Sequence, residues 1–212
     1  MGLKKITEEQ WNAFVSQLKP LDIIFEETHE FWSWGTLTKF GTGNSDTLDP
    51  SHVFLTGRLP ETIEADGKAV NVHNIQEYKK AVMEAKNRLV VFRCDIVQGA
   101  TPEQIKKGIE IIYLQVGTKY DGGANAGHAT RGIIKKLFGW LDFIMEKIPN
   151  IFADKKKLNC SQSVRTWFDD FHKFLDAGAN NRLSDKNTEK ETPETLQERI
   201  HYIADFIADT AA

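Results

Sequence analysis

The chain has 212 residues, 41% of them hydrophobic, and its 27 Lys and Arg against 30 Asp and Glu give a formal net charge of −3. That balance excludes the basic footprint of a nucleic-acid binder, and two cysteines, Cys94 and Cys160, are too few for a disulfide framework. No CxxC or clustered His/Cys spacing marks a metal site, and no stretch is long and apolar enough for stable membrane insertion, so neither metal nor cofactor is expected.

The start, Met1 to Thr7, has no long apolar run. No signal peptide is read there, and the expectation is a cytoplasmic protein, with a phage origin and release by lysis or a dedicated system left open. Thr7-Glu8-Glu9-Gln10 is a capping box, and Trp11, Phe14, Val15 and Leu18 follow at helical spacing, which predicts a helix from about Glu8 to Leu18. Pro20 ends it, and Leu21-Asp22-Ile23-Ile24-Phe25 reads as a buried strand. Residues 26–50 form a long loop rich in aromatics and glycines, and a loop of that length in a compact domain is usually functional. Trp32 and Trp34 read either as a substrate-facing wall or as a small hydrophobic cluster under a surface loop.

Ser51 to Thr56 is a predicted strand, Gly57-Arg58-Leu59-Pro60 a connection, and Glu61 to Ala65 the returning strand, with a third strand over Ala69 to Val72. A hairpin centred near Arg58 would place His52 directly opposite Glu64, on one face, with Cβ atoms about 5 Å apart. A carboxylate there orients the imidazole and favours its charged form; without a nucleophile the two are an ordinary cross-strand surface pair. A one-residue slip would put them on opposite faces. Glu64 is expected near the surface of the cleft.

A helix is predicted over Gln76 to Lys86, a strand over Arg88 to Arg93, and a helix from Thr101-Pro102 with Ile105, Ile109, Ile112 and Val116 on its apolar stripe. Gly117 ends that helix and Lys119-Tyr120-Asp121 follows. The glycine-rich stretch 122–132 lacks the strand-loop-helix context of a phosphate loop. An apolar helix is predicted over residues 133–148, and it reads as core packing or as a lid or interfacial helix.

Asn159-Cys160-Ser161-Gln162 is a second capping box. It opens a helix to about Leu175, with Val164, Trp167, Phe168, Phe171, Phe174 and Leu175 on one face and Cys160 on that same face. A thiol in the first turn of a helix feels the dipole and the unpaired N–H groups, which favour thiolate. The plain alternative is a buried structural cysteine. After a polar linker, 178–191, Thr192-Pro193-Glu194 begins a predicted last helix over 192–212, with Leu196, Ile200, Ile203 and Ile207 on one face.

Several of these pieces, in this order, resemble the circularly permuted papain-fold cysteine hydrolases of the NlpC superfamily, in particular the YiiX/YebB-like group. Leu21-Asp22-Ile23-Ile24-Phe25 is similar to the group's "GDIIF" strand, Ser51-His52-Val53 to its "SHVG" strand, and Ile63-Glu64-Ala65 with Gly67 and Val70 to its "IEA..GV" strand. Arg93 matches its "V.R", Gly117 to Asp121 its "G..YD", Asn159-Cys160-Ser161 its "CSELV" helix start, and Thr192-Pro193 the "TP" before its last helix. Leu21 stands where that group has glycine, Phe54 where it has glycine after His-Val, and Gln162-Ser163-Val164 where it has "ELV".

The resemblance implies an α+β, permuted papain-like fold over 1–212 as a single domain: an N-terminal helix within 1–20, and a small antiparallel sheet packed against the Cys160 helix with additional helices. It implies a thiol hydrolase of peptidase or amidase type with Cys160 as nucleophile, His52 as base and Glu64 as the residue orienting it, acting on a peptide, peptidoglycan or acyl substrate. Acyl transfer with the same triad is a second outcome, and a non-catalytic binding module on the same fold a third. Tyr120 either helps shape the substrate site with Trp32 and Trp34 or is a packed tyrosine.

Overall fold

The structure, a computed structural model, describes residues 5–28, 50–120, 158–175, 196 and 204–210. The elements in chain order are α1 (Glu8–Gln17), β1 (Ile23–Thr28), β2 (His52–Thr56), β3 (Glu61–Ala65), β4 (Val70–Asn74), a 3-10 turn (Ile75–Tyr78), α2 (Lys79–Met83), β5 (Asn87–Cys94), α3 (Asp95–Gln98), α4 (Pro102–Tyr113), α5 (Cys160–Phe174) and β6 (Ala204–Asp209). The class is α+β. Six antiparallel strands lie in the order β4-β3-β2-β1-β5-β6.

Helices cover both faces of this sheet, and that explains why β1 is a continuous apolar run rather than an alternating one. On one face Ile23, Phe25, Val53, Leu55, Ile63, Val90 and Phe92 pack against Ile112 of α4 and against Val164, Trp167, Phe168 and Phe171 of α5. On the other, Ile24, Phe54, Leu89 and Val91 pack against Trp11 and Phe14 of α1, with Ile75 and Val82. The expected small antiparallel sheet is thus a six-stranded one, with α5 on one face as expected and the additional helices divided between its two faces.

Local signals set the helix starts. Thr7 and Gln10, Thr101 and Gln104, and Asn159 and Gln162 each form the reciprocal capping box that their spacing predicts. The predicted helix over 76–86 is split into the 3-10 turn and the short α2, where the Asn74 side chain caps Gln76 N–H and Glu77 bonds back to Asn74 N–H. Val116 is 39% and Phe174 47% exposed, so neither completes the apolar stripe assigned to it.

The largest departure is at the end of the chain. The helix predicted over 192–212 does not reach its end: Ala204–Asp209 is β6, paired with β5. The open edge of β5 outweighs the helical spacing. Arg88 grips Asp209 through Nε–Oδ1 at 3.0 Å and Nη2–Oδ2 at 2.5 Å, Leu89 N–H donates to Thr210 Oγ1 at 2.9 Å, and Phe206 meets Phe92 edge-on at 6.2 Å. Leu196, from the same predicted helix, is buried in the core with α5.

Leu21, two residues before β1, has a φ of 70°, which is left-handed although the residue is not glycine, at a cost of roughly 1–2 kcal/mol. Its side chain is fully buried, and a glycine on α4 makes the room: a Cβ on Gly108 would lie 2.6 Å from Leu21 Cδ1 and 3.0 Å from the Phe171 ring. Gly108→Ala is therefore expected to destabilise the fold by about 1–3 kcal/mol in urea unfolding. Leu21→Ala in the same chain should remove part of that penalty, so the double variant costs less than the sum of the two. Simple additivity would mean the two sites are not in steric conflict.

Candidate active site

α5 starts where three segments meet. Leu158 N–H donates to Lys119 O at 3.1 Å and Tyr120 N–H to Lys68 O at 3.0 Å, which ties the residues before Cys160 to the β4 side of the sheet. Asn159 Oδ1 accepts Gln162 N–H at 2.8 Å and Gln162 Oε1 accepts Asn159 N–H at 2.9 Å, fixing the first turn. Ser163 Oγ donates to Gln115 Oε1 at 2.6 Å and Gln115 Nε2 returns a bond to Ser163 O at 3.1 Å, locking α5 to the segment after α4. Cys160 is thereby held as the first residue of α5, 6% exposed.

His52 opens β2 and Glu64 is the fourth residue of β3. The β2–β3 register runs through Leu55↔Ile63 and Thr56↔Thr62, so the predicted direct opposition of His52 and Glu64 is off by two positions. A two-residue slip keeps both side chains on one face and makes them diagonal neighbours, within reach of long side chains. His52 Nε2 lies 3.4 Å from Glu64 Oε2.

The ladder between β2 and β3 stops at Leu55, which leaves the Val53 amide, on the same strand edge as that of Leu55 by alternation, near the Cys160 sulfur. The His52 imidazole lies beside that sulfur and favours its charged form. Cys160 packs with the α5 layer, whereas His52 and Glu64 share the α1 face with Phe54 and Tyr78. The thiol and the imidazole thus meet at a fork in the sheet.

Glu64 is 4% exposed rather than at a cleft surface, and donors engage both its oxygens. Thr62 Oγ1 donates to Oε1 at 2.5 Å and Tyr78 Oη to Oε2 at 2.5 Å. Burial pushes its carboxyl up, but the bonds from His52, Thr62 and Tyr78 outweigh that and hold it below the usual range. Burial pulls His52 down, yet its bonds and charge interactions with Cys160 and Glu64 leave it well above the ordinary imidazole value. Burial pushes Cys160 up, and the His52 bond and charge, the Val53 N–H and the Ser161 hydroxyl bring it below an ordinary thiol. Cys94, fully buried with Asp95 and Asp22 nearby, is pushed far up by desolvation. The two cysteines are opposite cases.

Three of the residues singled out in the sequence, Cys160, His52 and Glu64, are in one place. Tyr120 is half-buried against the α5-side core, paired with Leu158 two positions before Cys160. Trp32, Trp34 and the helix predicted over 133–148 lie outside the described residues. Sequence reasoning missed Thr62, Tyr78, the Val53 amide and Glu26, which is the register partner of His52 on β1. Thr62 was within reach of it, two positions before Glu64 and so on the same strand face. Among the described residues, no three His, Cys, Asp or Glu side chains are grouped to hold a metal ion, and no helix is long and apolar enough to cross a membrane.

No family model and no curated protein matches the chain. Among solved structures, the metalloprotein yiiX from Escherichia coli O157:H7 is similar to it over 86% of this chain and 82% of its own, with 19% identity and a TM-score of 0.48.

Proposed function

We propose that this protein is a thiol-dependent hydrolase of amide or ester bonds, with a permuted papain-like arrangement in which Cys160 is the nucleophile, His52 the acid and base, and Glu64 the residue orienting it. The observation that carries the reading is the position of His52, beside the Cys160 sulfur and 3.4 Å from a buried carboxylate. A depressed thiol next to a raised imidazole favours the thiolate–imidazolium pair, the activated form of a cysteine nucleophile.

The thiolate attacks the substrate carbonyl carbon, forming a C–S bond and an oxyanion. The Cys160 and Ser161 amides, in the first turn and without intrahelical acceptors, are suited to receive that charge. The imidazolium gives its proton to the leaving nitrogen or oxygen as that bond breaks, which leaves a thioester on Cys160. Water, deprotonated by His52, attacks the thioester; the C–S bond breaks, the acid departs, and the proton returns to the pair. A peptide carbonyl, including those of cell-wall peptides, is the proposed substrate class. An acyl acceptor in place of water would turn the same steps into transfer.

Incubation with p-nitrophenyl acetate tests this. The expected result is a burst of about one nitrophenolate per chain, with the acyl group found on Cys160 by mass spectrometry and removed by hydroxylamine. No burst, or acyl label elsewhere, would overturn it. Iodoacetamide labelling gives a second check. Cys160 should label with a midpoint below the free-thiol value of about 8.5, while Cys94 stays unlabelled until the chain unfolds. Equal labelling of both would remove the nucleophile.

A further inference from the structure

Two donors compete for Glu64 Oε2. The Tyr78 phenol sits 2.5 Å from it and the His52 imidazole 3.4 Å, so the phenol holds the shorter, charge-assisted bond and the imidazole faces the same oxygen at a distance beyond normal N–H···O range. Nothing in the phenol's placement is loose. Its ring stacks on Phe54 at 5.0 Å and 16°, and Phe54 lies two positions from His52 on the same strand face. Burial raises Tyr78 well above the ordinary phenol value, with Glu64 and Glu26 adding to it, so it stays a neutral donor.

We propose that Tyr78 is a positioning residue of this site: its hydroxyl holds the Glu64 carboxylate and takes up part of its charge, which limits how firmly His52 keeps its proton. The inference rests on reading Cys160, His52 and Glu64 as one site. The groups facing His52 are Glu64 from β3, Cys160 from α5, Glu26 across the β1–β2 pairing, and Tyr78 from the 3-10 turn as the second donor to Glu64. His73 on β4, bonded to Asp66 and Glu77, lies farther out and senses Glu64 only through its charge. A base that must both accept and return a proton works best when neither state is held too tightly. A carboxylate with no competing donor would hold the imidazolium too tightly.

The test is an NMR titration of the His52 ring in a Cys160→Ala chain, where no thiol couples to it, with and without Tyr78→Phe. The phenylalanine keeps the stack on Phe54 and removes only the hydroxyl. His52 is expected to titrate higher by roughly half to one pH unit, a three- to tenfold change in proton affinity. In the chain that retains Cys160, the high-pH limb of p-nitrophenyl acetate turnover should move up with it and the plateau should fall roughly three- to tenfold. Thr62→Val removes the donor to the other oxygen, Oε1, and should raise the His52 midpoint by a smaller amount, which keeps the test open should Tyr78→Phe fail to fold. An unchanged or lowered His52 midpoint in the hydroxyl-deleted chain overturns the proposal. The titration is independent of any reaction at Cys160, so absence of an acyl burst would count against the hydrolase and not against the role of Tyr78.

Discussion

A His52→Ala variant is expected to lose at least about a hundredfold in turnover and roughly tenfold in Cys160 alkylation at pH 6. A thiol at its free value of about 8.5 is only about 0.3% thiolate at that pH, so losing the imidazolium partner takes away most of the nucleophile. The alkylation rate falls less than the thiolate fraction because a more basic thiolate is intrinsically more reactive. Burial works in the same direction as the mutation, since desolvation is the largest influence raising Cys160 once His52 is gone. Glu64→Gln should cost less in turnover, and adding it to His52→Ala should cost little more, because residues acting as one unit are not additive. Its effect on stability is larger than a surface position would give. The amide would present an N–H₂ group to Thr62 or Tyr78, both donors, at a cost of about 1–3 kcal/mol. Alkylation at pH 6 that is indifferent to His52 would separate the thiol from the imidazole and end the triad reading.

The second large effect is expected far from the thiol. Arg93 grips Asp22 with Nε–Oδ1 at 2.7 Å and Nη2–Oδ2 at 2.8 Å, and Asp22 is completely buried with a further bond from Lys19 N–H at 2.7 Å. Desolvation raises Asp22, and Arg93 offsets part of it. Arg93→Leu leaves a buried carboxylate without its cation, which should cost about 3–5 kcal/mol in urea unfolding. Asp22→Asn added to that variant should recover a substantial part, because the penalty lies in the orphaned charge. A loss under about 1 kcal/mol for Arg93→Leu would show that the pair is not what fixes the start of β1 against the end of β5.

What the sequence made legible was local. The Asn159–Gln162 capping box and the Cys160 face of α5 lie within a few residues of one another and came through as expected. His52 and Glu64 came onto a common face although their predicted pairing was off by two, because strand side chains repeat every two residues. Had the error been one, the site would have been lost. β6 was not legible: Ile207 continues the helical spacing that starts at Leu196, and only the presence of an open edge on β5 makes Ala204–Asp209 a strand. Tyr78 was not legible either. Its contact with Glu64 depends on how the 3-10 turn folds back over β3, which no spacing in the chain encodes.

The fork between β2 and β3 makes the site depend on two layers at once. The thiol belongs to one layer, the imidazole and its carboxylate to the other, and only the finished sheet brings them through to each other. Cys160 is encoded 108 positions after His52, so the imidazole and its carboxylate are made well before the thiol they meet. If either layer peels away, the sulfur reverts to an ordinary, weakly reactive thiol. On the proposed reading, reactivity at Cys160 would depend on both layers being in place.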